Sequence, residues 1–403
     1  MMAAMKDGLF VKGIPVGPIF GGTAPVRQEG ILTQGDLVTT TSDGVDLNAL
    51  WNSFAESINI YNEAMDDLIA LLTYPVTVPV EPVVQIGEVT FEEATELGVP
   101  RGAGLPMEVF QMGYDLRHYD KRNAYTWMAL ADGDARQIEA IHDGVLWADK
   151  RNVFRKVMEA IFDNRTRRAN IRNQAYNVWP LYNGEGVAPP RFKNNVFDET
   201  HNHYVISHNS TVDSSDLEDL MELISEHGYS PQAGTQFLLL ANKAETDAIR
   251  QFRRGVANNN GAVAGYDFIP SPTQPAMILP NAEGLLGNQP APTFGGLAVI
   301  GSYGFWNVVE EDYIPPGYLA GFGYGGRFAL SNPVGLRQHA NPQMQGLRII
   351  AGNYQRYPLI DGFYARTFGS GIRQRGGAAV MQIKASGTYD VPPIYKRGGG
   401  FLV

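Results

Sequence analysis

Three of the chain's seven histidines fall within eight residues, at His201, His203 and His208 of the stretch ETHNHYVISH (199–208). Histidine is the commonest protein ligand for transition metals and a general base near neutral pH, so this spacing is weighed first. If the flanking YVIS continues as a strand, His201 and His203 share one face and His208 has the opposite parity. Two imidazoles on one face can begin a zinc site, but a catalytic one requires a third protein ligand and an open position. The letters H-N-H do not make a nuclease of that name, whose residues are spread over a ββα-metal unit rather than run together. The expectation is of strand-end histidines hydrogen-bonded to backbone, with no catalytic, cofactor-binding or metal-ligating residue and no cofactor. A metal-dependent enzyme using His201 and His203 is the rival reading.

No other motif assembles a nucleophile, a base and an orienter. GFGYGG (321–326) has the glycines of a phosphate loop but lacks the following Lys-Ser/Thr and a helix opening there. No G-x-S-x-G elbow occurs. The acid pairs Asp66-Asp67, Glu92-Glu93 and Glu310-Glu311 read as solvated faces rather than general acid/base dyads. The absence of cysteine excludes disulfides, thiol catalysis and thiolate-bound zinc. An apolar fraction of 44% is too high for a disordered chain, and 403 residues suffice for two or more cores. The most apolar segment, LIALLTYPVTVPV (68–80), is broken by Pro75 and Pro79 and too short to span a bilayer, so no membrane role is expected.

The net charge of −10 is unevenly placed. Residues 1–133 carry 18 acids against 7 bases, whereas residues 327–403 carry 2 acids against 10 bases. Such a chain suits head-to-tail contact between copies, or pairing of its two ends within one copy; nucleic-acid binders are more often basic overall.

The elements that must position these residues follow from periodicity. Residues 1–45, rich in Gly, Pro and Thr, read as an extended arm. Leu47, Leu50, Trp51, Phe54, Ile58, Tyr61, Met65, Leu68 and Leu72 keep helical spacing up to a stop at Pro75. A Val- and Pro-rich segment follows as a long exposed hairpin arm, with GVPRGAG (98–104) at its tip. Asp134 with Gln137 opens a second helix that runs to about residue 168, with Arg165, Arg167, Arg168 and Arg172 suited to its C-terminal dipole. A hairpin turning near NGEG (183–186) is expected over 176–207. Ser215 with Glu218 caps a helix ending at Gly228, TQFLLLA (235–241) is a buried strand, and Asn242 with Glu245 opens a helix stopping at Gly255. Strands are expected at 296–311, 317–325 and from 347 onward.

In that order the chain resembles the major capsid proteins of tailed bacteriophages with the Hong Kong type fold, a fold shared with encapsulins. HNHYVISHNSTVDSSDLEDLMELISEHGY is similar to the passage into the axial domain in actinobacterial phage capsids, and RYPLIDGFYARTFGSGIRQRGGAAVMQIKASGTYDVPPIY to the last strands of the peripheral domain. The resemblance implies an α+β fold with an N-terminal arm and helix (1–73), an extended loop (74–128), a peripheral domain (129–208) with a spine helix (134–170), an axial domain (209–330) and returning peripheral strands (331–403). It implies hexamers and pentamers forming an icosahedral shell around packaged double-stranded DNA that is contacted only weakly. Its other partners would be a separate scaffolding protein, a portal and a decoration protein, with assembly in the host bacterial cytoplasm and residence in the virion capsid. An encapsulin-like compartment shell is the alternative with the same fold. The candidate intersubunit contacts are Arg101, Lys121, Arg122, Arg366, Arg373 and Arg375, with acidic arm and loop of one copy against the basic tail of the next. Some relatives join a loop lysine to an asparagine; here Lys121 with Asn341 or Asn353 would be the pair.

Overall fold

The computed structural model of the chain describes residues 9–11, 14–16, 38–64, 67–84, 93, 94, 98, 109–171, 174–272, 289–351 and 359–396. Its helices are α1 (Leu47–Glu63), α2 (Asp67–Leu72), α3 (Trp127–Asp132), α4 (Ala135–Phe162), α5 (Ser214–Ser225) and α6 (Lys243–Ile249). The chain forms two compact units, one of Met1–Asp66, Leu116–Phe154 and Gln338–Gly369, the other of Asp67–Asp115, Arg155–Arg337 and Ser370–Val403.

In the first unit Asp46 caps α1 by accepting the backbone N–H groups of Asn48 and Ala49 at 2.8 and 2.9 Å. The expected stripe is buried: Leu47, Leu50, Trp51 and Phe54 pack with Leu130 of α3 and with Ala135 and Ile138 of α4. Ile58 continues it against Val145, Leu347 and Tyr364. The strand Leu359–Ile372 pairs antiparallel with Arg117–Thr126 from Leu359↔Thr126 to Phe368↔Arg117, and with Leu347–Ala351 on its other edge.

His142 of α4 is buried in this unit, stacked on Phe54 at 4.1 Å. Its Nε2 hydrogen-bonds Ser57 Oγ and its Nδ1 hydrogen-bonds Tyr364 Oη, each at 2.7 Å. Ser57 gives its own proton to Phe54 O at 2.9 Å, so the neutral imidazole donates from Nε2 and accepts from Tyr364 at Nδ1. Burial depresses its pKa, so protonation favours the unfolded chain. The stability this residue contributes is therefore present above its unfolded value of 6.5 and lost as pH falls below it. We expect His142→Gln to flatten the pH dependence of urea unfolding as pH falls below 6.5, relative to the parent chain.

The second unit is built on a seven-stranded sheet in the order Phe268–Pro270, Gly301–Tyr303, Trp306–Glu310, Gln236–Ala241, Tyr318–Tyr324, Ala378–Gln382, Tyr204–Ile206. Pairing is antiparallel except where Gln236–Ala241 meets Trp306–Glu310 and Ala378–Gln382 meets Tyr204–Ile206. Leu217, Leu220, Met221 and Ile224 of α5 join Phe237, Leu239, Trp306 and Val308 in one apolar core. Trp306, fully buried, donates its Nε1–H to Leu217 O at 2.8 Å. Gly321 leaves room for its ring, since a Cβ there would sit 2.6 Å from the indole. We expect Gly321→Ala to destabilise by about 1–3 kcal/mol, read as a lower urea midpoint. GFGYGG is thus largely strand and packing surface, not a phosphate cradle.

The structure changes several sequence expectations. The stripe from Leu47 to Leu72 is carried by two helices: α1 stops where the Ala64 N–H bonds Ile60 O, and α2 begins in the other unit. The spine helix ends at Phe162, and Arg167 and Arg168 lie in the strand Arg167–Ile171. The reason is local: Asp163 accepts both the backbone N–H and the guanidinium of Arg165, a turn that competes with another helical turn. Arg165, Arg167 and Arg168 therefore lie beyond the helix, and Arg172 lies outside the described residues. The cap of α5 is Asp213 with Asp216, each carboxylate bonding the other's backbone N–H, rather than Ser215 with Glu218. Glu218 instead accepts from Tyr303 Oη at 2.6 Å and the Gly265 N–H at 2.9 Å. Asn242 caps α6 as expected, but the helix ends at Ile249, before Gly255. The hairpin expected over 176–207 is a shorter one, Arg167–Ile171 with Gln174–Val178, followed by an irregular excursion.

Of the long hairpin arm, the stem Val80–Val84 with Val109–Gly113 is described, with Pro82 opposite Gln111. Its expected tip, apart from Gly98, lies outside the described residues, as does nearly all of the N-terminal arm. Among the described residues no helix is long and apolar enough to cross a membrane.

Candidate functional site

The irregular excursion brings ETHNHYVISH back to the edge of the seven-stranded sheet. The His203 N–H donates to Tyr182 O at 2.7 Å and its carbonyl accepts from the Val380 N–H at 2.9 Å, which fixes the backbone on both sides. Its Nδ1 bonds Ala378 O at 2.6 Å, the backbone partner expected of a strand-end histidine. The fold then adds residues that the sequence left apart. α5 ends with the Glu226 N–H on Glu222 O at 2.9 Å, and Gly228 turns the chain at φ +96. Glu226 and His227 project from that end toward His201 and His203.

Three imidazole nitrogens converge. Nε2 of His201 lies 3.0 Å from Nε2 of His203 and 3.0 Å from Nε2 of His227, and the last two lie 2.9 Å apart. A Glu226 carboxylate oxygen closes the group, all four ligand atoms lying within 4.8 Å of one another. His203 is fully buried. Phe197 stacks on His227 at 4.5 Å and Tyr182 at 5.5 Å, giving it apolar walls. Burial lowers the pKa of all three histidines, that of His227 to about 3, and raises that of Glu226. The missing third ligand, on which the rival reading turned, is His227. The only sequence signal for it was a Glu-His pair just before the glycine that ends a helix. His208 stands apart, exposed and at φ +58.

The basic contact candidates sort differently from their expectation as a group. Arg375 is buried, its Nε bonding Pro180 O at 2.9 Å and its guanidinium 4.4 Å over Tyr182 and 5.2 Å over Trp179. Arg366 is buried on Asp149 at 2.5 Å. Arg373 is half-buried, 3.4 Å from Glu81. Lys121 and Arg122 are exposed on the strand Arg117–Thr126. Arg101 and Asn353 lie outside the described residues; Asn341 accepts the Gln343 N–H as the cap of a short turn. The charge asymmetry is therefore answered in part within one copy, where Asp67 meets Arg327 and Glu81 meets Arg373. Of the acid pairs, Glu310 is not a solvated face: it accepts from Thr246 Oγ1 at 2.7 Å and Arg250 at 3.2 Å.

No family model matches the chain, and no curated protein does. Among solved structures, a chain from Mycobacterium phage Patience is 89% identical, covering 94% of this chain and all of its own length, with a TM-score of 0.75. A chain from Gordonia phage Cozz is 14% identical over 79% of this chain and 86% of that one, at a TM-score of 0.42. A chain of the SrpI encapsulin complex from Synechococcus elongatus PCC 7942 is 12% identical over 81% and 91%, at 0.43. Those last two likenesses are too slight to decide anything about this chain.

Proposed function

Because this chain belongs to the tailed-phage major capsid proteins of the Hong Kong type, and so forms the wall of a virion, we propose that its copies close as hexamers and pentamers into an icosahedral shell around double-stranded DNA. The observation that carries this is the 89% identity to the mycobacteriophage chain over 94% of this one. Assembly in an actinobacterial cytoplasm, with a separate scaffolding protein, a portal and a decoration protein, completes the reading, and no catalysis is assigned to the chain.

The hairpin stem supports it physically. A lone two-stranded arm is marginal in water and gains stability when laid on a neighbour. Trp147 of α4 is 61% exposed, a large apolar area for one copy to leave in solvent. The acidic balance suits a wall that does not grip packaged phosphate.

Electron microscopy of the purified protein is the test, with closed shells expected and a dispersed monomer in dilute buffer overturning it. Arg373→Glu places two carboxylates together at Glu81, and we expect fewer shells by sedimentation while folding stability changes by no more than about 1 kcal/mol. Shells at the parental yield would remove Arg373 from the interface.

A further inference from the structure

We propose that His201, His203, His227 and Glu226 form a four-coordinate structural zinc site that fastens the edge of the seven-stranded sheet to the end of α5.

Tautomer counting supports it. Ala378 O is only an acceptor, so His203 carries its proton on Nδ1 and turns a bare lone pair on Nε2 toward the cluster. Three Nε2 atoms in mutual contact make three N···N pairs, and at most two protons remain on His201 and His227 to fill them. At least one pair then faces donor to donor or lone pair to lone pair at 2.9–3.0 Å. A divalent cation removes the conflict by taking all three lone pairs. Tetrahedral zinc with bonds of about 2.0–2.1 Å separates its nitrogens by about 3.3 Å, a few tenths of an ångström wider than observed.

Two further observations agree. The His203–Ala378 bond is the outer hydrogen bond that orients a metal-bound imidazole. Glu226 Oε1 is buried without a hydrogen-bond partner, 3.4 Å from His201 Nε2, an acceptor beside the three nitrogens that a cation would satisfy. The donor set is three imidazoles and one carboxylate without sulfur, which suits zinc over magnesium or calcium. Arg375 bears positively on the same region, and Asp198 and Glu222 face it with Glu226, so the local charge is mixed. Four protein ligands leave no open position for a reacting water, which makes the role structural.

The test uses full-length protein purified without a metal-affinity step and dialysed against micromolar zinc. Elemental analysis is expected to give about one zinc per chain. A strong chelator should lower the melting temperature, and zinc but not magnesium should restore it. His227→Gln and Glu226→Gln should each reduce zinc content severalfold; the second keeps the shape of the side chain and guards against simple misfolding. Cobalt in place of zinc should show the intense visible absorption of a tetrahedral site. Folded protein with less than about a tenth of a zinc per chain overturns the proposal, as do variants that bind as much as the parent or a cobalt spectrum of octahedral type.

Discussion

Arg375→Glu is expected to abolish folding of the subunit rather than its assembly, and Arg375→Ala to cost about 3–5 kcal/mol. Among the described residues no carboxylate hydrogen-bonds or ion-pairs with the guanidinium, and the Glu185 charge acts on it only from a distance. It lies 4.4 Å over Tyr182, 5.2 Å over Trp179 and 6.0 Å over Phe110, and hydrogen-bonds Pro180 O and Leu181 O. Burial alone pulls its pKa down to about 10, so it stays charged at neutral pH. Alanine would leave two buried carbonyls without their donor and a gap among three aromatic rings. Glutamate would add a negative charge against those carbonyls. Lysine keeps the charge but lacks the planar fork that reaches both oxygens while stacking, so an intermediate loss of about 2 kcal/mol is expected. Urea unfolding followed by tryptophan fluorescence reads these values, since Trp179 is in the contact. An Arg375→Glu chain that melts like the parent yet fails to build shells would reassign this arginine to an interface.

The second large effect is expected at Asp149. Its Oδ2 takes the Arg366 guanidinium at 2.5 Å and the Tyr61 hydroxyl at 2.9 Å, and both charged side chains are 7% exposed. Asp149→Ala leaves Arg366 buried without its counter-charge, and about 3–5 kcal/mol should be lost. The double variant Asp149→Leu with Arg366→Met removes both charges while keeping most of the volume, and should recover most of that loss. A double variant as unstable as the single one would mean that the pair contributes packing rather than charge balance. Within one copy each side chain is already engaged by the other. Arg366, chosen as such a contact from the basic excess of the C-terminal segment, belongs to the interior of the first unit.

How much of this was written in the chain can be judged residue by residue. The α1 stripe, the TQFLLLA strand and the α5 core face were legible because each depends on periodicity over neighbouring residues, and local spacing survives any tertiary arrangement. The ends of elements were less so. Asp163, Asp213 and Glu218 are all plausible caps or turn-formers, and which one acts depends on partners such as Arg165, Asp216 and Tyr303 that compete for the same carboxylates. Charge counts showed that the C-terminal segment is basic but not where each base goes. Burial decides that, and it took Arg366 and Arg375 inside.

The histidine cluster divides most sharply between the two sources. By themselves the letters indicated that His201 and His203 stand together at the end of a strand, and the structure places them just before Tyr204–Ile206. Only the fold decided that His227 and Glu226, more than twenty positions on, meet them. The reason is that α5 packs its apolar face on the sheet and ends at Ser225, so the two residues before the Gly228 turn land where no local pattern points. Resemblance over the whole chain identified a capsid wall, whereas convergence of distant ligands is a property of the folded copy alone.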